Sequence, residues 1–202
     1  MTLRIYGNRP LKTLPGQATR PTPARVREAL FNIWQSEIEG CRWLDLCTGS
    51  GAMGAEALCR GAARVVGIEQ SGKACAVIQQ NWQAIATPSQ SFRLIRGDVT
   101  KKLSSLAGED GEPFDRIYFD PPYASDLYAP VIAAIAHHHL LAEGGELAVE
   151  HSPEILDEAA MEAIAPPNTG FSLCRYKRYG NTALAFFAQS FEAIALKRQS
   201  VD

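Results

Sequence analysis

The sequence predicts an α/β protein with a Rossmann-like sheet of seven strands, mostly parallel, ending in an antiparallel C-terminal hairpin. Three observations carry this. From about residue 41 onward, short apolar runs of strand length alternate with segments of helical period, the pattern of a parallel sheet covered by helices. Leu44 to Gly54 passes from an apolar run through Gly49, Gly51 and Gly54 into a helical pattern, a strand–glycine turn–helix crossing. Near the end, Ser172 to Tyr179 and Thr182 to Gln189 flank Gly180-Asn181, a tight hairpin signal.

The elements follow in order. Residues 1 to about 20 hold a short β-like piece, Leu3 to Tyr6, and then a stretch rich in Pro, Gly and Thr that reads as a loop or weak hairpin. We divide the chain into a basic arm or hairpin at 1–22 and a Rossmann-like domain at 23–202. Thr22-Pro23 looks like a helix start, with Thr as N-cap and Pro at the first helical position, and Val26, Leu30, Ile33, Trp34 and Ile38 recur at helical spacing. Strands are expected near 42–46, 63–68, 92–96, 114–120 and 145–150, and helices near 52–61, 71–86, 99–107, 125–140 and 153–164.

A chain of 202 residues can bury one substantial core, and its 46% hydrophobic and 21% charged content is that of an ordinary globular protein. No apolar run approaches the roughly 20 residues that cross a bilayer, so a cytoplasmic protein without a membrane partner is expected. The five cysteines never form C-x-x-C and read as reduced core thiols. A net charge of −2 carries no global nucleic-acid signal. The charge is uneven, however: Arg4, Arg9, Lys12, Arg20, Arg25 and Arg27 stand in the first 27 residues with no acid among them, a candidate phosphate-contacting arm. His137-His138-His139 is not expected to bind metal, because adjacent helical residues point about 100° apart. His151 could face a cofactor cleft, though a structural role is expected, and Trp34, Trp43 and Trp82 are assigned to the core.

The most informative tetrapeptide is Asp120-Pro121-Pro122-Tyr123, which follows the apolar run Arg116 to Phe119 and so should sit at a strand's carboxyl end, where open α/β sheets bind ligands. Two prolines fix the backbone there, so that a carboxylate, the Pro121 carbonyl and an aromatic ring can converge on one small planar group. An exocyclic amino group of a base fits that description. Its lone pair is delocalised into the ring, and acceptors on its N–H groups localise it for attack on a methyl group. Tyr123 offers a stacking face to an extruded base.

The glycine loop alone fits either a nicotinamide dinucleotide or S-adenosylmethionine. Asp45, four residues before Gly49, favours the second: a carboxylate there repels a pyrophosphate but complements the ammonium and sulfonium of a methionyl group. Glu69, 20 residues after Gly49, stands where a carboxylate takes two ribose hydroxyls. Asp98, in Arg96-Gly97-Asp98-Val99, is placed to accept from an adenine amino group.

Together, Thr19 to Thr22 with Val26-Arg27-Glu28-Ala29-Leu30-Phe31-Asn32, Leu44 to Gly54, Glu69, Asp120 to Tyr123 and Tyr179-Gly180-Asn181-Thr182 resemble bacterial small-subunit ribosomal RNA guanine-N2 methyltransferases. The resemblance covers nearly the whole chain. It implies S-adenosylmethionine at Asp45, Gly49, Gly51, Glu69 and Asp98, catalysis at Asp120, Pro121, Pro122 and Tyr123, and transfer to N2 of a guanine in small-subunit ribosomal RNA or an assembling small subunit. Arg9, Lys12, Arg20 and Arg25 are the candidate RNA contacts. Members usually carry a glycine-rich basic motif near the N-terminus where this chain has Gly7 to Lys12, and a Thr-Asp where it has Thr22-Pro23. Two alternatives remain open: an adenine-N6 methyltransferase acting on RNA or DNA, and an RNA-binding assembly factor without turnover.

Overall fold

The computed structural model describes residues 3–13, 23–109 and 112–190, and forms two compact units, Met1–Lys102 and Leu103–Asp202. Seven strands form one mixed sheet in the order β5-β4-β3-β6-β7-β9-β8, with a separate two-stranded β1-β2 sheet.

In the N-terminal unit, β1 (Leu3–Ile5) and β2 (Arg9–Leu11) pair antiparallel around a single 3-10 turn at Tyr6–Asn8. Gly7 and Asn8 both take positive φ there, which glycine and asparagine tolerate best. Asn81 pins the outgoing chain: its side-chain oxygen accepts from the Lys12 amide and its side-chain amide donates to the Lys12 carbonyl, both at 3.0 Å. The weak hairpin therefore has a long-range anchor.

Helix α1 (Ala24–Ile33) starts one residue later than its Pro signal suggests. Pro23 keeps extended ψ and its carbonyl accepts from Val26 and Arg27, so it occupies the cap position and not the first helical one; Thr22 lies outside the described residues. Ile38 lies in the turns beyond the helix but is still buried. Then come β3 (Arg42–Leu46), α2 (Ala52–Cys59), β4 (Arg64–Glu69), α3 (Gly72–Ile85) and β5 (Ser91–Arg96), with β3, β4 and β5 pairing in parallel. Phe31 stacks on Trp43 at 5.3 Å, Trp34 meets Trp43 edge-on at 5.6 Å, and all three tryptophans are fully buried.

Helix α4 (Val99–Glu109) leads into β6 (Phe114–Phe119), α5 (Tyr128–His137), β7 (Leu141–His151), α6 (Glu158–Ile164), β8 (Phe171–Tyr179) and β9 (Thr182–Gln189). Strands β6 and β7 pair in parallel with a bulge near Asp115, and β9 lies antiparallel between β7 and β8. The hairpin turn is as expected, Tyr179 facing Thr182 and Gly180 at φ 69. Other boundaries move for local reasons. The expected helix from 125 begins at Tyr128, because Ser125 N–H closes a turn onto the Pro122 carbonyl. His139 at φ 51 ends α5 early, leaving His137 to His139 at a helix end with His137 and His139 exposed. Helix α6 waits for Asp157, whose carboxylate accepts from Ala160 N–H as an N-cap. β7 starts four residues ahead of its expected position, through Gly144-Gly145.

The cysteines depart from expectation. Cys41 is buried, but Cys47, Cys59 and Cys75 are half-buried and Cys174 is exposed; all five are free. Local apolar context therefore misplaced four of them, since strand and helix rims are apolar in sequence yet partly open in space.

Candidate active site

The glycine loop of the N-terminal unit takes backbone conformations that glycine relieves at two of three positions and that Cys47 bears without it. Cys47, Gly49 and Gly51 all have positive φ, and Gly51 is the N-cap residue of α2. The Thr48 hydroxyl holds the bend by donating to the carbonyls of Asp45 at 2.9 Å and Ile68 at 3.1 Å. Beneath the loop lies Trp82, whose indole N–H donates to the Gly51 carbonyl at 2.8 Å. A Cβ added to Gly54 would stand 2.3 Å from the Trp82 ring, and one on Gly67 2.6 Å from it. The Trp82 ring packs directly on the α2 and β4 backbones because neither Gly54 nor Gly67 carries a side chain at the contact.

Asp45 is 1% exposed, and one carboxylate oxygen accepts from Gly54 N–H at 3.0 Å. Burial pushes its pKa up to about 8; the Gly54 hydrogen bond opposes the shift and the nearby Glu69 charge adds to it. Glu69, buried at the end of β4, accepts from Gly49 N–H at 2.8 Å and from Ser71 N–H at 2.7 Å. One carboxylate thus ties the glycine loop to the turn after β4. Asp98 is fully exposed and caps α4, accepting from the Thr100 amide at 2.9 Å and hydroxyl at 2.6 Å; those bonds hold its pKa below the usual carboxylate value.

In the C-terminal unit, Asp120 directly follows β6, Pro121 is buried, Pro122 is exposed and Tyr123 is half-buried. The Tyr123 hydroxyl donates to Glu150 at 2.9 Å and lies 3.2 Å from the Thr182 hydroxyl. The other oxygen of Glu150 accepts from the Tyr118 hydroxyl. Burial and the Glu150 charge push the Tyr123 phenol well above its usual pKa, so it remains a donor. Glu150 and Thr182 are therefore two supports that sequence reading did not assign. Their signal was present but indirect: Glu150 is a carboxylate at the carboxyl end of a strand, after the apolar run Leu147-Ala148-Val149, and Thr182 closes the Tyr179-Gly180-Asn181-Thr182 turn. His151 is fully buried against Tyr176, ring centroids 5.5 Å apart, and burial pushes its pKa down.

Of the candidate RNA contacts, Arg9 and Arg25 are exposed and the Lys12 ammonium donates to Gln80 at 3.0 Å; Arg20 lies outside the described residues. Arg27, counted with the basic arm, is not a surface cation. It is 3% exposed, paired with Glu56 at 2.7 Å and donating to the Arg4 carbonyl at 2.8 Å. Among the described residues no helix is long and apolar enough to cross a membrane, and no group of three or more His, Cys, Asp or Glu is placed to hold a metal ion.

Residues 3–188 match the family model described as conserved hypothetical protein 95. The chain is also 34% identical to ribosomal RNA small subunit methyltransferase D of Escherichia coli K12 over 158 residues, 75% of this chain and 76% of that one. The chain belongs to this family. YlbH of Bacillus subtilis is 29% identical over 89% of this chain and 92% of its own. The solved structure of yhhF from Escherichia coli superposes with a TM-score of 0.74 at 29% identity, covering 94% of this chain and 99% of that one. Family membership and the seven-stranded sheet with its antiparallel C-terminal strands both agree with the reading of the sequence.

Proposed function

We propose that this protein transfers a methyl group from S-adenosylmethionine to the exocyclic N2 of a guanine in small-subunit ribosomal RNA, acting in the cytoplasm on naked RNA or an assembling subunit. The observation that carries the reading is Asp120-Pro121-Pro122-Tyr123 at the end of β6, its tyrosine hydroxyl held by buried Glu150, in a chain of the methyltransferase D family.

The N-terminal unit fits the donor. A glycine loop with Gly49 and Gly51 at positive φ, held from below by Trp82 and flanked by the buried carboxylates of Asp45 and Glu69, suits a ligand with a cationic amino-acid end and a ribose. Asp45 would face the ammonium and sulfonium, Gly49 and Gly51 the close backbone contact, Glu69 the ribose hydroxyls and Asp98 the adenine amino group. When bound, the donor supplies a methyl on a positively charged sulfur, which departs as a neutral thioether.

The protein's own work falls on the acceptor. Asp120 and the Pro121 carbonyl accept hydrogen bonds from the two N–H groups of the base, drawing the nitrogen lone pair out of the ring. The Asp120 carboxylate offsets the positive charge that builds on nitrogen as the N–C bond forms and takes the N–H proton that leaves, passing it to solvent. Tyr123 stacks on the base, which must leave its RNA stack to reach the motif, at least cost from a loop or an unpaired position. Its hydroxyl is occupied by Glu150, so the ring is held as a platform and does not act as the base.

The arm at 1–22 is proposed as the RNA-docking element. Single-turnover assays on guanine-only and adenine-only RNA test the reading. Methylation confined to guanine is expected, with Asp120→Ala lowering the rate at least about a hundredfold while donor affinity stays within a few-fold. Transfer to adenine would convert the assignment to an N6 enzyme, and donor and RNA binding without turnover would make the protein an assembly factor.

A further inference from the structure

Within the N-terminal unit a pocket of about 570 Å³ opens among the β1-β2 hairpin, α1 and α2, lined in part by Arg4, Tyr6, Arg27, Glu28, Glu56 and Arg60. That volume lies within the roughly 300–1,000 Å³ of small-ligand sites. Its charges are unequal: three guanidiniums stand against two carboxylates, and Glu56 is already engaged by Arg27 at 2.7 Å and Arg60 at 2.8 Å. Arg27 spends Nε on Glu56 and Nη2 on the Arg4 carbonyl, and its buried Nη1 has no hydrogen-bond partner among the described residues. An unmet buried guanidinium nitrogen is costly, and an entering anionic oxygen removes that cost.

The second feature is aromatic. Tyr6 is 52% exposed, an unusual degree for a large ring, and the Arg60 guanidinium covers one of its faces, 4.3 Å from the centroid, so a base would stack on the opposite face. A ring so exposed and held beside a cation is a platform for a nucleobase, and a phosphate donor set lies in the same pocket. The pocket is also continuous in sequence with exposed Arg9 on β2 and shares α1 with exposed Arg25, so its surroundings are basic.

We propose that this pocket takes one nucleotide of the RNA, other than the one methylated, with its phosphate toward Arg27 and Arg4 and its base on Tyr6. The inference rests on the RNA reading above, and it gives the hairpin a specific grip in addition to diffuse charge attraction. Two variants separate its parts. Tyr6→Ala removes an exposed ring; Arg27→Lys keeps a cation opposite Glu56 but removes the spare nitrogen.

The test is fluorescence anisotropy of the full chain with a labelled small-subunit ribosomal RNA fragment, with S-adenosylmethionine affinity measured alongside as the control for folding. Tyr6→Ala is expected to weaken RNA binding roughly tenfold, and Arg27→Lys at least about threefold, with donor affinity unchanged. If wild type binds the RNA and both variants match it within twofold, the pocket assignment falls and the RNA reading stands. If wild type shows no preference for this RNA over heparin, both fall. Saturation by free GMP at micromolar concentration without RNA would assign the pocket to a mononucleotide, which overturns it as an RNA subsite.

Discussion

Asp45 is fully desolvated, and its carboxyl is held up to about 8 from an ordinary value of 3.8. A folded-state pKa above the unfolded one means that the native protein binds more protons across that interval, so this contribution to stability is complete below about 3.8 and is lost as pH rises toward 8. We expect melting of the protein without added methyl donor to show it: between pH 5 and 8 wild type should lose at least about 2–4 °C relative to Asp45→Asn, the shift of about 1 kcal/mol in a chain of this size. Parallel curves for the two proteins would show that Asp45 ionises freely. A cationic ligand beside this group favours its charged form, so donor binding should release a proton below pH 8. Residue scale is also where sequence reading was least complete. Asp45, Glu69 and Asp120 could be singled out from the sequence because each stands at a fixed offset from a strand end or glycine turn, and the structure puts them in β3, at the end of β4 and directly after β6. Glu150, which holds Tyr123, is 27 residues away from it and belongs to another strand, so no local spacing announces the pair.

At the scale of elements, α2 is positioned by what is missing from it. Gly54 and Gly67 leave room for Trp82, which in turn holds the Gly51 carbonyl; the loop geometry thus depends on a side chain from α3. Gly54→Ala should displace a fully buried tryptophan and destabilise the protein by about 1–3 kcal/mol, an overpacking cost that outweighs the helical preference for alanine of about 1 kcal/mol. Urea denaturation measures it, and an unchanged midpoint would mean that Trp82 moves aside at no cost. Helix and strand types followed from periodicity because each element buries one face. Their ends did not, because capping by Asp157, the turn at Ser125 and the positive φ of His139 are single-residue events that weigh little in a hydrophobic pattern.

For the whole molecule, charge is distributed to act locally. The chain carries a net charge of −2, yet Arg9, Lys12 and Arg25 all stand exposed. If these three meet phosphates, replacing them together by alanine should flatten the log–log salt dependence of RNA affinity by roughly two to three units, with donor affinity unchanged. A wild-type slope in the triple variant would move the docking surface elsewhere, for example to Arg175, Lys177 and Arg178 on β8. Arg27 is left out of that set because it is buried and paired with Glu56, so its proposed phosphate contact is a local one in the hairpin pocket and not part of the exposed cationic surface.

The sequence by itself determined the order and type of the elements, the glycine crossing, the hairpin turn and the Asp-Pro-Pro-Tyr motif. All of these are written in local terms: period, turn chemistry and spacing along the chain. Tertiary structure alone decided which charges are spent. Arg27, immediately followed by Glu28 in the chain, finds its partner instead 29 residues on at Glu56. Likewise Tyr118 and Tyr123 share Glu150, and Trp82 reaches back to Gly51. The physical reason is the same in each case: a buried polar group must be satisfied by whatever the fold brings within 3 Å, and that partner is selected by packing, not by position in the sequence.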